Sequence, residues 1–180
     1  MFSIFKIFKK KKIVPHIRLS GIIGAVGKFR QGLDFAGQKE IIEKAFSIKK
    51  ALAVAVSINS PGGSPVQSHL IYSYIRKQAK KNKKKVLVFA EDVAASGGYL
   101  IACAGDEIYA NSSSIVGSIG VIYAAFGLQD LIKKAGIQRR IYTAGKNKST
   151  LDPFVEEKKE DIERLKSIQL DLHADFIKVV

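Results

Sequence analysis

Apolar and polar positions along the chain alternate between two periods, one suited to strands and the other to helices. His16 to Ile23 and Ala51 to Ile58 read as strands, the second a near-continuous apolar run of the kind buried on both faces of a parallel sheet. Between them Ile41, Ile42, Ala45 and Phe46 recur at helical spacing. Ser64 then offers a helix cap and Pro65 a first helical residue, with Val66, Leu70, Ile71, Tyr74 and Ile75 as the apolar face. Val86 to Ala90 predicts the next strand. It is followed by a short helix near Gly97 to Ala104, a strand at Glu107 to Ala110, a helix at Leu128 to Ala135 and a strand at Gln138 to Thr143. From Asp152 and Pro153 the chain runs to Val180 without a glycine or another proline. Ile162, Leu165, Ile168, Leu172, Phe176 and Val179 there mark one long amphipathic helix. Strands alternating with helices predict an α/β layered domain with a mainly parallel sheet and crossover helices.

Composition narrows the picture. A chain of 180 residues, 47% hydrophobic and 26% charged, can build a real core. Cys103 is the single cysteine, which excludes an internal disulfide, and His16, His69 and His173 are scattered, so no zinc site is expected. No apolar stretch approaches the roughly 20 residues needed to cross a bilayer.

The charge is the unusual feature: 30 Lys+Arg against 16 Asp+Glu give +14. Basic residues gather at Lys9 to Lys12, at Lys49 and Lys50, and from Arg76 to Lys85, a run without an acid. Such stripes grip phosphates or anionic lipid. No helix-turn-helix, zinc finger or RNP-type motif accompanies them, so no nucleic-acid partner is expected. Residues 1–12 join Phe2, Phe5 and Phe8, three apart, to the four lysines. This tail lacks a cleavage-like site and is read as a peripheral membrane contact. A single domain is expected over 13–180.

Three glycine-rich segments fall at strand ends, where α/β proteins place their chemistry. They are Asn59-Ser60-Pro61-Gly62-Gly63-Ser64, Ala94-Ala95-Ser96-Gly97-Gly98-Tyr99 and Val116-Gly117-Ser118-Ile119-Gly120. None fits a dinucleotide or Walker pattern, and no cofactor is expected. Backbone N–H groups before a helix also suit an oxyanion, and Ser96 stands among them as a candidate nucleophile, or as an ordinary turn serine. No histidine is placed by the sequence to activate it. Lys146 and Lys148 are the alternative bases, and a lysine with an ordinary pKa of about 10.4 must be desolvated before it accepts a proton.

Taken together, the motifs Asn-Ser-Pro-Gly-Gly, Val-Ala-Ala-Ser-Gly-Gly-Tyr, Ser-Ile-Val-Gly-Ser-Ile-Gly-Val and Thr-Ala-Gly-x-x-Lys-Ser-x-Leu-Asp-Pro-Phe closely resemble the signal peptide peptidase family of the SppA and SohB type. The resemblance runs from about Ile17 to Val180. It implies a Clp-protease-like, crotonase-related fold and a bacterial serine endopeptidase with a Ser-Lys dyad, acting on signal peptides or membrane-associated peptides. By motif, Ser96 matches the nucleophile and Lys148 the general base, while Lys146 occupies a variable position. Ser118 matches the serine that positions the lysine, Gly63 and Gly97 the oxyanion hole, and Gly62 the supporting turn. The resemblance further implies a homo-oligomer with active sites at subunit boundaries, located in the cytoplasm or peripherally at the inner membrane.

Two departures stand out. The family's later Gly-Arg-x-Trp-x-Gly and Gly-Leu-Val-Asp segments are not in these 180 residues, which implies a shortened chain or a fragment, and the usual membrane span is not found. Two other readings of the same fold are an inactive subunit or membrane-associated scaffold, and an acyl-CoA enzyme. The second needs carboxylates at the site, where only Glu91 and Asp92 are near in sequence.

Overall fold

Alternation of branched apolar residues makes the sheet, and its parallel ladders require the helical crossovers read from the sequence. The structure, a computed structural model, describes residues 13–24, 32–145 and 147–180; the N-terminal tail and Lys146 lie outside them. Five strands form one parallel sheet: β1 (His16–Ser20), β2 (Ala53–Ser60), β3 (Lys85–Ala95), β4 (Glu107–Ala110) and β5 (Ile115–Gly117). The path runs β1-β2-β3-β4, with β5 also paired to β3. Three helices connect them: α1 (Phe35–Ser47), α2 (Pro65–Asn82) and α3 (Gly97–Ala102).

On one face of the sheet Ile17, Leu19, Val54, Val56, Ile58, Val86 and Val88 are buried, in one cluster with Ile42, Phe46, Ile71 and Ile75 from α1 and α2. Each such side chain contributes about 1.5–3 kcal/mol on burial. The opposite face is less covered than the apolar run of β2 predicts, since Ala53 and Ala55 are only half-buried. On α2 the Ser64 hydroxyl accepts from Gln67 N–H at 3.4 Å and Pro65 opens the helix, as read from the sequence. Val66 and Leu70, however, are exposed, and the buried stripe is Ser68, Ile71, Ile75, Gln78 and Ala79.

β3 outruns its predicted end by five residues. Against β2 it is in register to Ile58↔Ala90 and again at Ser60↔Ala94, so the segment between bulges outward. Asn59 holds the bulge, donating to Asp92 at 2.9 Å and accepting from Val93 N–H at 3.2 Å. The bulge lets β3 pair with β4 over Leu87–Ala90 and with β5 over Val93–Ala95.

These elements belong to one compact unit, Met1–Ile119 with Val179–Val180; the other is Gly120–Lys178. The second unit holds α4 (Gln129–Lys134) and nearly all of α5 (Lys159–Val179). Two expectations fail there. The predicted strand Gln138 to Thr143 is not formed, because among the described residues it has no ladder partner. The long helix starts at Lys159 and not at Asp152. Instead of capping a helix, the Asp152 carboxylate accepts the Phe154 N–H at 3.0 Å in a tight turn, and the Pro153 carbonyl is taken by Leu128 N–H at 2.6 Å.

Candidate active site

The C-terminal ends of β2, β3 and β5 converge on Ser96. Ala95 pairs with Gly117, and Ser96 N–H donates to the Gly117 carbonyl at 2.7 Å. Ser96 and Ser118 therefore leave adjacent strands at the same level. Both take positive φ, 51° and 55°, a strained conformation for a residue with a side chain, which costs on the order of 1–3 kcal/mol each. At Ser96 the strain produces a sharp turn from strand to helix. Its hydroxyl makes no capping hydrogen bond to α3, and the residue is only half-buried.

The turn after β2 packs directly on this one. A Cβ on Gly62 would lie 2.8 Å from the Gly97 nitrogen and 2.8 Å from the Ser96 Cβ. A Cβ on Gly63, whose φ is 145°, would run into the Ile23 carbonyl oxygen. Glycine is required at both positions for the backbones to approach. Gly63 is bridged to Ile23 through its neighbours: Ile23 N–H donates to the Gly62 carbonyl at 2.9 Å and Ser64 N–H to the Ile23 carbonyl at 2.8 Å. The bridge leaves the Gly63 N–H outside it. Gly97, as the first residue of α3, has no acceptor within its helix. Among the described residues, the Gly63 N–H thus lies outside its bridge and the Gly97 N–H outside its helix ladder, in two turns that pack together at Ser96.

Lys148 belongs to the second unit and is exposed. It sits in a run of turns whose Leu151 also has positive φ, 54°. The anchor of that run is Asp152, which the sequence offered as a helix cap and not as part of the site. Its carboxylate is nearly buried and accepts from Arg139 at 2.9 Å, from Ser149 at 3.5 Å and from Phe154 N–H. The Phe154 N–H first, then the Arg139 guanidinium, hold this carboxyl below its ordinary range. Arg139 also lies over the Phe154 ring, 5.1 Å from its centre.

One polar cluster escaped the sequence reading because its members are far apart in the chain. His16 Nε2 is 2.9 Å from the Ser57 hydroxyl, and Arg18 donates twice to Glu91, at 2.8 and 2.6 Å. Arg18, and then Ser57, lower the Glu91 carboxyl to about 2. Ser57 lies mid-strand, where the ladders on both sides engage the backbone, so no pair of free N–H groups accompanies it. The pair His16–Ser57 is therefore structural, and His16 is committed away from Ser96. Among the described residues no cluster of His, Cys, Asp or Glu suits a metal ion.

Residues 78–180 match the signature of peptidase family S49. The chain belongs to this family. Relatives named SppA and SohB place it with that type of S49 peptidase. It is 35% identical over 130 residues to the chloroplastic serine protease SPPA of Arabidopsis thaliana, covering 68% of this chain and 19% of that protein. It is also 61% identical over 168 residues to a protein of Brucella melitensis named Na(+)/H(+) antiporter NhaA, covering 93% of this chain and 23% of that protein. The chain thus spans about a quarter of these relatives' length or less. No helix among the described residues is long and apolar enough to cross a membrane. Among solved structures it is similar to a mutant of a membrane-bound stomatin-specific protease, with TM-score 0.46 and 19% identity over 65% of this chain and 51% of that one.

Proposed function

We propose that this S49 chain is a serine endopeptidase in which Ser96 is the nucleophile and Lys148 the general base. The observation that carries the reading is the strained Ser96 turn, whose hydroxyl makes no cap bond to α3 and whose backbone packs directly against the Gly62-Gly63 turn. Lys148, in its uncharged form, takes the hydroxyl proton as Ser96 Oγ bonds to the scissile carbonyl carbon. The Gly63 and Gly97 N–H groups hold the resulting oxyanion, each worth about 3 kcal/mol in the barrier. The C–N bond then breaks, Lys148 returns its proton to the leaving amine, and an acyl-enzyme remains. Water, deprotonated by the same lysine, releases the acid and restores Ser96. Ser118 steadies the lysine, and Gly62 supports the turn.

Lys148 is exposed, and the desolvation that its role demands is assigned here to a neighbouring copy, in a homo-oligomer with sites at subunit boundaries. Signal peptides or membrane-associated peptides, bound extended, are the substrate class in keeping with the SppA-type relatives.

Labelling with a fluorophosphonate probe tests the assignment. Ser96→Ala and Lys148→Ala should each lose labelling and casein hydrolysis, and mixing the two variants should restore part of the hydrolysis. Undiminished labelling of Ser96→Ala would defeat the nucleophile assignment, and unassisted full activity of Lys148→Ala would defeat the base. Absence of recovery on mixing would place both groups in one subunit.

A further inference from the structure

We propose that the end of the sheet opposite Ser96 is a docking surface for an anionic lipid bilayer. In a parallel sheet all strands start at one end, and here the loops at that end carry a cluster of basic residues. Lys49 and Lys50 stand in the turn before β2, and Lys80, Lys81 and Lys83 close α2 just before β3. Lys84 binds the two turns together, its ammonium donating to the carbonyls of Phe46 at 2.6 Å and Ile48 at 2.7 Å. Nearby acids are already engaged, Asp106 by Arg76 at 2.9 Å and Glu107 by Lys85 at 3.2 Å. Among the described residues Lys49, Lys50, Lys77, Lys80, Lys81 and Lys83 form no ion pair.

Apolar side chains stand among these lysines without cover. Leu52, next to Lys50, is 81% exposed, and Val14, at the entrance to β1, is 54% exposed. Lysines around projecting aliphatic groups suit a headgroup layer, where charge meets lipid phosphates and the apolar tips enter the acyl boundary. A nucleic acid would offer no partner for Leu52. A chain docked this way presents Ser96 at the far end of β3, roughly 30 Å from the surface and facing away from it. The inference does not depend on the chemistry assigned to Ser96.

Flotation of the full chain with vesicles tests it, using phosphatidylcholine alone or with about 30% phosphatidylglycerol. Binding should require the anionic lipid and weaken steeply at about 0.5 M NaCl. Reversing Lys49, Lys50 and Lys83 together to Glu should weaken binding by at least about a hundredfold, at roughly fivefold per lysine. Leu52→Ser should weaken it severalfold at constant charge. Reversing Lys133, Lys134 and Lys166 of the second unit to Glu, an equal change in net charge, should leave most of the binding. Gln in place of Glu at Lys49, Lys50 and Lys83, with an unchanged melting curve, guards against misfolding. Equal losses from the two triple reversals, no loss from the first, equal binding to neutral vesicles, tighter retention by a short RNA, or release by inorganic phosphate at matched ionic strength would each overturn the proposal.

Discussion

The turn bearing Ser96 and the loop bearing Lys148 are held by opposite means. Around Ser96 the restraint is backbone on backbone: the β3–β5 ladder, the Gly63–Ile23 bridge, and a Gly62 too close to Gly97 to tolerate a side chain. Around Lys148 it is mostly side chain on side chain, centred on the carboxylate of Asp152. A backbone lock makes position insensitive to neighbouring substitutions but intolerant of any change at its glycines. A side-chain lock can be tuned, and released, by one residue. Under the proposed assignment, a nucleophile at Ser96 gains a fixed position from the first kind, and a base at Lys148 tolerates the second.

The largest effect should come from breaking the backbone lock. Gly63→Ala drives a methyl into the Ile23 carbonyl at a φ that L-residues rarely adopt, and should cost more than about 3 kcal/mol. Thermal unfolding measures this, and a near-normal melting temperature would show the turn to be looser than described. Next comes Asp152→Ala, which strands Arg139 and the Phe154 N–H. It should lower the acylation rate by about ten- to a hundredfold through displacement of the lysine loop, with melting changed far less than in Gly63→Ala. Asp152→Asn, able to accept the Phe154 N–H, should recover part of the rate. The smallest effect sharpens the contrast from the other side. Ser96→Gly removes the side chain that makes φ 51° costly and should raise stability by about 1 kcal/mol while removing activity. If Ser96→Gly is no more stable than Ser96→Ala, the turn stores no strain.

Much of the geometry around the Ser96 turn was legible in the sequence because glycine and cap residues write backbone geometry directly. Ser64 and Pro65 set the start of α2, and the small-residue run Ala94 to Gly98 marked a strand-to-helix turn where β3 gives way to α3. Periodicity stopped β3 at Ala90, since a bulge interrupts the alternation that reveals a strand, and β5, three residues long, offers too short a pattern to read. In the second unit the signals misled for the same physical reason. Asp152-Pro153 is an acceptable helix start by local preference, but Arg139, thirteen residues earlier, claims the carboxylate. His16–Ser57 and Arg18–Glu91 depend on strand register, which no local pattern encodes.

The irregularity of β3 opposite Asn59 sets a rule of parity for this chain. Between its two matched pairs β2 advances by two residues and β3 by four, both even, so side-chain alternation resumes in phase on the far side. Deleting one residue from Glu91–Val93 would reverse every orientation downstream and turn the hydroxyl of position 96 toward the opposite side of the sheet. Losing two would keep the phase and match the two-residue advance of β2, so the reach would stand while the bulge and its Asn59 contacts were lost. Length changes in this stretch are therefore tolerable only in pairs, and even then only where the β5 partner can follow.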